Sequence, residues 1–285
     1  MAETFGAVAG ALSVAALFNN CVDCFGYIQL GRHFGRDFER CQLKLDIIRS
    51  RISRWGEAVA VNTDPRFANN WSDDDASQQA WRILDQIRLL FEDAQRSSSR
   101  YGPAADSRTL VQSELTPVVR NLHGWMEDIV HQRQKRTGLR KKFAWALYDS
   151  KHLDKLIADI AGLVRDLENL YPVEMQRRSL VAFEIEEVDD ELSLLALEEA
   201  ASGTDDLIAE AVADKMEAIA ARNEAKDILT EETARVKVGN HWSESVLSRG
   251  VPVMDKTENK AGAITARGAS IVHIGTSFGG RGIFD

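Results

Sequence analysis

The 285-residue chain carries 44 Asp and Glu against 35 Lys and Arg, a formal net charge of −9. That balance excludes nucleic acid as a natural partner, because a phosphate backbone rewards dense positive charge. Three cysteines, few and odd in number, exclude a disulfide framework and fit a reducing cytoplasm.

The first unusual stretch is FGAVAGALSVAALF, Phe5 to Phe18, fourteen residues without a charge. Only Glu3 precedes it, so the basic front of a secretory signal is missing. As a helix it spans about 21 Å, short of the roughly 30 Å hydrocarbon core of a bilayer. Extension through Val22, Phe25, Tyr27, Ile28 and Leu30 reaches about 39 Å. That longer span encloses Asn19, Asn20 and Asp23, and a central Asp costs about 3 kcal/mol of insertion. Gly6 and Gly10 set a G-x-x-x-G spacing that lets helices approach closely, in a folded bundle or in a membrane oligomer. A buried core helix is the plainer reading than a constitutive span. The segment 5–30, with Phe5, Gly6, Gly10, Leu12, Leu17 and Phe18 as its apolar marks, becomes a conditional membrane segment only if something pulls it free. Cys21 and Cys24 form a C-x-x-C on this apolar stretch without a βαβ pattern or a second ligand pair, which reads as buried structural thiols.

Helical periodicity continues to residue 222. Phe38, Cys41, Leu45, Ile48, Ile52 and Trp55 form one apolar stripe, and Ile83, Ile87, Leu90 and Ala94 form another behind the capping run SDDDAS. Pro117 opens a third helix with Leu122, Trp125 and Ile129 inward. Phe143 to Leu170 reads as one long fourth helix stopped near Pro172. An acidic helix follows over Glu184–Glu199, then a helix over Leu207–Arg222. The basic run Arg133, Lys135, Arg136, Arg140, Lys141 and Lys142 reads as a solvated helix end, or a partner for the acids around Glu186–Glu191, ahead of a lipid-headgroup contact. The expected product is an all-α bundle over residues 1–222.

The remaining residues, 218–285, repeat themselves. Residues 223–242 and 259–278, joined by the linker 243–258, align at a constant offset of 36. Asn223 falls on Asn259, Ala225 on Ala261, Ile228 on Ile264, Val236 on Val272, Val238 on Ile274, Gly239 on Gly275 and Trp242 on Phe278. Such a unit buries its apolar face against its own copies, and two copies leave both ends open for other molecules. Glu224 falls on Lys260 and Glu231 on Arg267, so stacked strands alternate in sign instead of accumulating repulsion. The paired asparagines add an amide ladder. Ala234, Val236 and Val238, with Ser270, Val272 and Ile274, give each copy one inward face, and Gly239 and Gly275 close the runs. Pro252 lies in the linker, where it removes no ladder bond.

No catalytic constellation emerges: the six histidines are scattered, and neither G-x-x-x-x-G-K-[ST] nor G-x-S-x-G occurs. The chain reads as no enzyme, with no cofactor and no metal site.

MAETFGAVAGALSVAALFNNCVDCFGYIQLGRHFGRDFERCQLKLDIIRSRISRWGEAV resembles the N-terminus of the fungal HeLo domain, and the two Asn-initiated repeats with the closing FGGRGIFD resemble the prion-forming domain of the HET-s/HET-S proteins. The resemblance implies an α-helical HeLo domain and a tail disordered when soluble, a β-solenoid with two coils per molecule in the amyloid. It implies a role in heterokaryon incompatibility or receptor-triggered programmed cell death. The implied partners are further copies of the chain, a prion-form partner of the HET-s type, an NLR-type receptor with a related amyloid motif, and membrane lipid on activation; the implied place is the cytoplasm, then the cell membrane. The family divides into a prion-forming, non-toxic type and a pore-forming, toxic type. Asp23 and His33 mark the region that separates them, and His33 is similar to the toxic type. Family salt bridges are replaced where Lys226 faces Gly262 and Thr233 faces Ala269.

The two halves are expected to be coupled. Stacked strands lie about 4.7 Å apart, so two coils space successive chains by about 9.4 Å. A domain of some 220 residues has a radius of gyration near 17 Å and splays at that spacing. Forming the first coil then strains the helix just before Asn223 and frees the N-terminal segment.

Overall fold

The computed structural model describes residues 12–30, 37–68, 74–98, 115–134, 145–147, 150–220, 222–242 and 257–279. Phe5, Gly6, Gly10, His33, Phe143, residues 135–142 of the basic run, Pro252 and the closing 280–285 lie outside the described residues. The chain divides into two compact units, Met1–Val212 and Ala213–Asp285.

In the first unit α1 (Val14–Phe25) is capped by Ser13, whose side chain accepts from the Ala16 amide at 3.2 Å. It stops at Gly26, and a strand, β1 (Ile28–Leu30), follows. The stretch 5–30 is therefore not one helix in the folded domain. The elements α2 (Phe38–Ala58), α3 (Pro65–Ala68) and α4 (Asp75–Ser98) follow. Asp74 caps α4 by accepting from the amides of Ala76 and Ser77. Its buried stripe is Ala80, Leu84, Ile87 and Phe91, one position away from Ile83, Leu90 and Ala94, which are half-buried. In α5 (Pro117–Gln134) the proline opens the first turn, and Val119, Leu122, Met126 and Val130 face inward while Trp125 and Ile129 lie at the margin.

The fourth expected helix is shorter than its pattern. Trp145–Leu147 forms β2, a parallel partner of β1 in which Ile28 pairs with Trp145 and Leu30 with Leu147. Only then does α6 (Ser150–Leu170) begin. The short apolar run Trp145-Ala146-Leu147 serves a strand as well as a helix. The acidic helix is likewise two, α7 (Glu174–Glu186) and α8 (Glu191–Ala201), because Asp190 turns extended and accepts from the Ser193 amide at 2.8 Å. The last helix, α9, covers Asp206–Ala220.

At the centre sits α2, packed against α1, α5, α6, α7 and α8. Its turns from Leu45 to Gly56 are buried all round, so the polar residues on its flanks must find partners inside.

Among its described residues the second unit carries six strands in three parallel pairs. β3 (Arg222–Thr230) pairs with β6 (Glu258–Ala266), β4 (Arg235–Val238) with β7 (Ile271–Ile274), and β5 (His241–Trp242) with β8 (Ser277–Phe278). Every pair runs at the offset of 36, so each coil lies on its copy.

Candidate functional site

The two coils are joined residue upon equivalent residue. Asn223 pairs with Asn259, Glu224 with Lys260, Ala225 with Ala261 and Ile228 with Ile264. Val236 pairs with Val272 and Val238 with Ile274. The Asn223 amide donates to the Asn259 side-chain oxygen at 3.0 Å, one rung of an amide ladder. Arg267 lies 3.4 Å from Glu231, and a pair not foreseen, Arg222 with Glu258, closes at 3.2 Å.

Gly239 and Gly275 adopt φ of 146° and 132°, where only glycine is at ease, and a Cβ on Gly239 would strike the Gly275 carbonyl. A second corner gives no signal in the repeat alignment: Glu232 (φ 58°) sits over Gly268 (φ 73°). The inward face also differs in part, since Ala234 is exposed while Thr230 is buried and donates to Ser270 Oγ at 2.9 Å.

Burial is lopsided. Ile228 and Val238 are 7% and 9% exposed, whereas their partners Ile264 and Ile274 are 45% and 39% exposed. The second coil covers the first and is itself left uncovered.

In the helical unit the notable chemistry is buried and was hidden from the sequence. Arg51 grips Glu168 with two bonds, at 3.1 and 2.6 Å, and donates to the Thr204 carbonyl at 2.8 Å. Arg54 grips Glu184 at 3.0 and 2.7 Å and reaches Asp205 at 2.7 Å. Arg133, the first member of the basic run, also binds Glu184. Burial penalises the Glu184 carboxylate, but the Arg54 and Arg133 charges win and hold its pKa below the ordinary value. Arg54 is likewise penalised by burial and stabilised as the cation by Glu184 and Asp205. Asp205 also caps α9, where its other oxygen accepts from the amides of Leu207 and Ile208 at 3.2 and 3.4 Å.

The apolar helix α1 is held from three sides. Phe18 lies over Gly56 so closely that a Cβ there would overlap its ring, and it meets Trp55 at 5.9 Å between centroids. Cys21 donates to the Leu84 carbonyl at 3.3 Å, and Trp81 donates to the Leu12 carbonyl at 2.9 Å. Leu17 and Phe18 are buried, while Leu12 is half-buried. Asp23 accepts from Gln134 at 3.3 Å. Burial pushes the Cys21 thiol well above its ordinary pKa, against thiolate chemistry. Among the described residues no helix is long and apolar enough to cross a membrane.

A last pair joins α2 to α5: His123 Nδ1 lies 2.8 Å from Asp46 Oδ2. Burial alone would lower the imidazole's pKa, but the bond and charge of Asp46, with Glu127 helping against Arg49, hold it above the ordinary 6.5. Burial holds the Asp46 carboxyl above its ordinary value, against the pull of His123 and Arg49. Both groups keep protons in the folded domain that the unfolded chain releases. The histidine's contribution is therefore full below 6.5 and is lost as pH rises through its raised folded value. We expect the Tm of the helical domain to fall as pH rises from the ordinary imidazole value of 6.5 through the raised folded value, and His123→Gln to flatten that slope in thermal melts. An unchanged slope would place the titration elsewhere.

Comparison with known proteins follows the same division. The family described as HeLo, prion-inhibition and propagation, matches residues 6–197, and that described as Het-s 218-289 matches residues 215–279. The chain is 50% identical over 288 residues to the heterokaryon incompatibility protein s of Podospora anserina, covering all of both chains. Against protein S of the same fungus the identity is 49%, again over all of both chains. The solved N-terminal domain of HET-S superposes with a TM-score of 0.70 at 52% identity, covering 74% of this chain and 97% of that one. A two-site mutant of the HET-s N-terminal domain gives 0.68 at 51%, covering 72% and 99%.

Proposed function

The chain belongs to the HeLo family and also matches the Het-s 218-289 domain at its C-terminal end, and from that membership we propose that it is an amyloid-templated, pore-forming cell-death effector in heterokaryon incompatibility or NLR-type signalling. The observation that carries the reading is the uncovered second coil. Ile264, Ile274 and Phe278 are left 45%, 39% and 52% exposed on the second coil, whereas Ile228 and Val238, the first-coil equivalents of the two isoleucines, are buried. What fits over the second coil is the first coil of another copy, with Asn223, Asn259 and the Glu231–Arg267 alternation continuing along the stack. In this reading Asn223, Ala225, Ile228, Val236, Val238 and Gly239, with Asn259, Ala261, Ile264, Val272, Ile274 and Gly275, form the amyloid core.

Stacking then acts on the helical domain. Chains repeating every ~9.4 Å cannot each keep a domain of ~17 Å radius of gyration close to the axis. α9 ends at Ala220 and β3 begins at Arg222, so the strain enters through α9. Breaking a buried ion pair costs about 3–5 kcal/mol, a large share of the roughly 5–15 kcal/mol that hold a domain. The segment then freed is α1 with the residues before it. A helix from Phe5 to Phe25 measures about 31 Å, close to the ~30 Å hydrocarbon core, and places Asn19, Asn20 and Asp23 near one end.

The test adds preformed fibrils of residues 218–285 to the full-length protein with dye-loaded liposomes. Leakage that depends on the fibrils is expected; fibril growth without leakage favours the second reading, a non-toxic prion-forming scaffold. Identities of 50% and 49% to proteins s and S do not separate the two types. The assignment to the toxic type rests on His33. Further copies, a prion-form partner, an NLR-type receptor bearing a related motif and membrane lipid are the partners of this proposal.

A further inference from the structure

We propose that the last turn of α2, Arg54-Trp55-Gly56, is a relay that makes the hold on α1 depend on the hold on α9. The relay rests on the effector reading above, but it is a property of the resting domain and needs no membrane.

The buried contacts of α9 lie at its beginning. Asp205, Ile208 and Val212 are 1%, 2% and 0% exposed, and none of residues 213–219 is buried. Strain applied at Ala220 therefore meets no buried side chain before Val212, and beyond it lies the Asp205 cap. Withdrawing Asp205 leaves Arg54 and Arg133 sharing the single carboxylate of Glu184 in a site where Arg54 is 1% exposed. An unbalanced buried cation must move toward water or gain a new partner. Arg54 cannot do so without displacing its own turn of helix. Its neighbour Trp55 is tied to the Leu167 carbonyl at 3.0 Å and touches Phe18, and Gly56 underlies the Phe18 ring with no room to spare. Any shift of this turn thus falls on Phe18, the residue that seats α1. Because linkage is reciprocal, disturbing the Gly56 seat must also loosen α9.

The three native cysteines report on this directly. Cys21 and Cys24 lie on α1, Cys41 lies on α2, and all three are buried thiols outside any disulfide. Full-length protein is labelled with a maleimide, without fibrils or lipid, and each site is followed by peptide mass. In Asp205→Asn, which keeps an acceptor for the α9 cap but loses the charge, labelling of Cys21 and Cys24 is expected to rise about tenfold or more while that of Cys41 stays slow. Val130→Ala on α5, matched by its loss of Tm, is expected to speed all three together or none. If Asp205→Asn does not fold, Arg54→Lys, unable to hold Glu184 and Asp205 at once, takes its place. From the other end, Gly56→Ala is expected to raise hydrogen exchange at the Leu207 and Ile208 amides. Equal acceleration of all three cysteines in Asp205→Asn, the same selectivity in Val130→Ala, or unchanged exchange in Gly56→Ala would each overturn the relay. Selective labelling in a protein whose seeded form leaks no dye would instead keep the relay and sink the membrane reading.

Discussion

Val272→Pro is expected to abolish fibril growth from preformed seeds while leaving the helical content of the unseeded protein unchanged. The ladder shows why this position is decisive. Ile271 N–H donates to the Ala234 carbonyl and Gly275 N–H to the Val238 carbonyl, so odd-numbered residues of β7 bond down to the first coil of their own chain. In a parallel pair alternate residues bond to alternate sides. The Val272 N–H therefore points to the open side, where the proposed stacking would add the next molecule. Proline there removes a bond between molecules and sets a ring against the arriving strand, at about 3 kcal/mol or more, roughly a hundredfold per addition step. His273→Pro breaks the bond within the chain instead and should prevent the two coils from forming at all. Proline at Val251, in the linker, should be tolerated. Thioflavin growth curves and circular dichroism read the series, and normal growth of Val272→Pro would mean that the register does not continue between molecules.

That register was legible because a repeat states its own pairing. An offset of 36 residues, once seen, assigns each partner, and Asn223–Asn259 and Glu231–Arg267 needed no knowledge of the fold. The helices were legible as far as one apolar stripe sufficed. Trp145–Leu147 defeated the pattern, because three residues suit a strand or a helix and the choice fell to β1, more than a hundred residues away. The ionic network around Arg51 and Arg54 was not legible for a related reason. A stripe through Cys41, Ile48, Ile52 and Trp55 leaves these arginines on the polar flank, where arginine usually meets water. Only the arrival of α6, α7 and the Thr204–Asp205 turn on that flank buries them. The signal available was Glu168, Glu184 and Asp205 far along the chain, and nothing local selects them from 44 acidic residues. Gly56 was passed over likewise, since a glycine inside a helix costs about 1 kcal/mol and reveals its use only when Phe18 is seen upon it.

Leu12→Lys should separate the two halves of the proposed mechanism. Leu12 lies three residues, about 4.5 Å, from the midpoint of a helix from Phe5 to Phe25. A lysine there adds about 3 kcal/mol to insertion, roughly a hundredfold against the membrane state. In the folded domain Leu12 is half-buried and engages Trp81 through its backbone carbonyl, which the substitution keeps. Lysine can cover the apolar surface with its stem and keep its ammonium wet, so the resting domain should stay folded. Leu17→Lys provides the contrast: Leu17 is 0% exposed, and a charge placed there should unfold the domain outright. The tail is untouched in both variants. Seeded fibrils of Leu12→Lys should therefore form at the wild-type rate while liposome leakage falls sharply. Full leakage from a folded Leu12→Lys would remove α1 and its preceding residues as the membrane-active element, and would direct the search to another part of the helical domain.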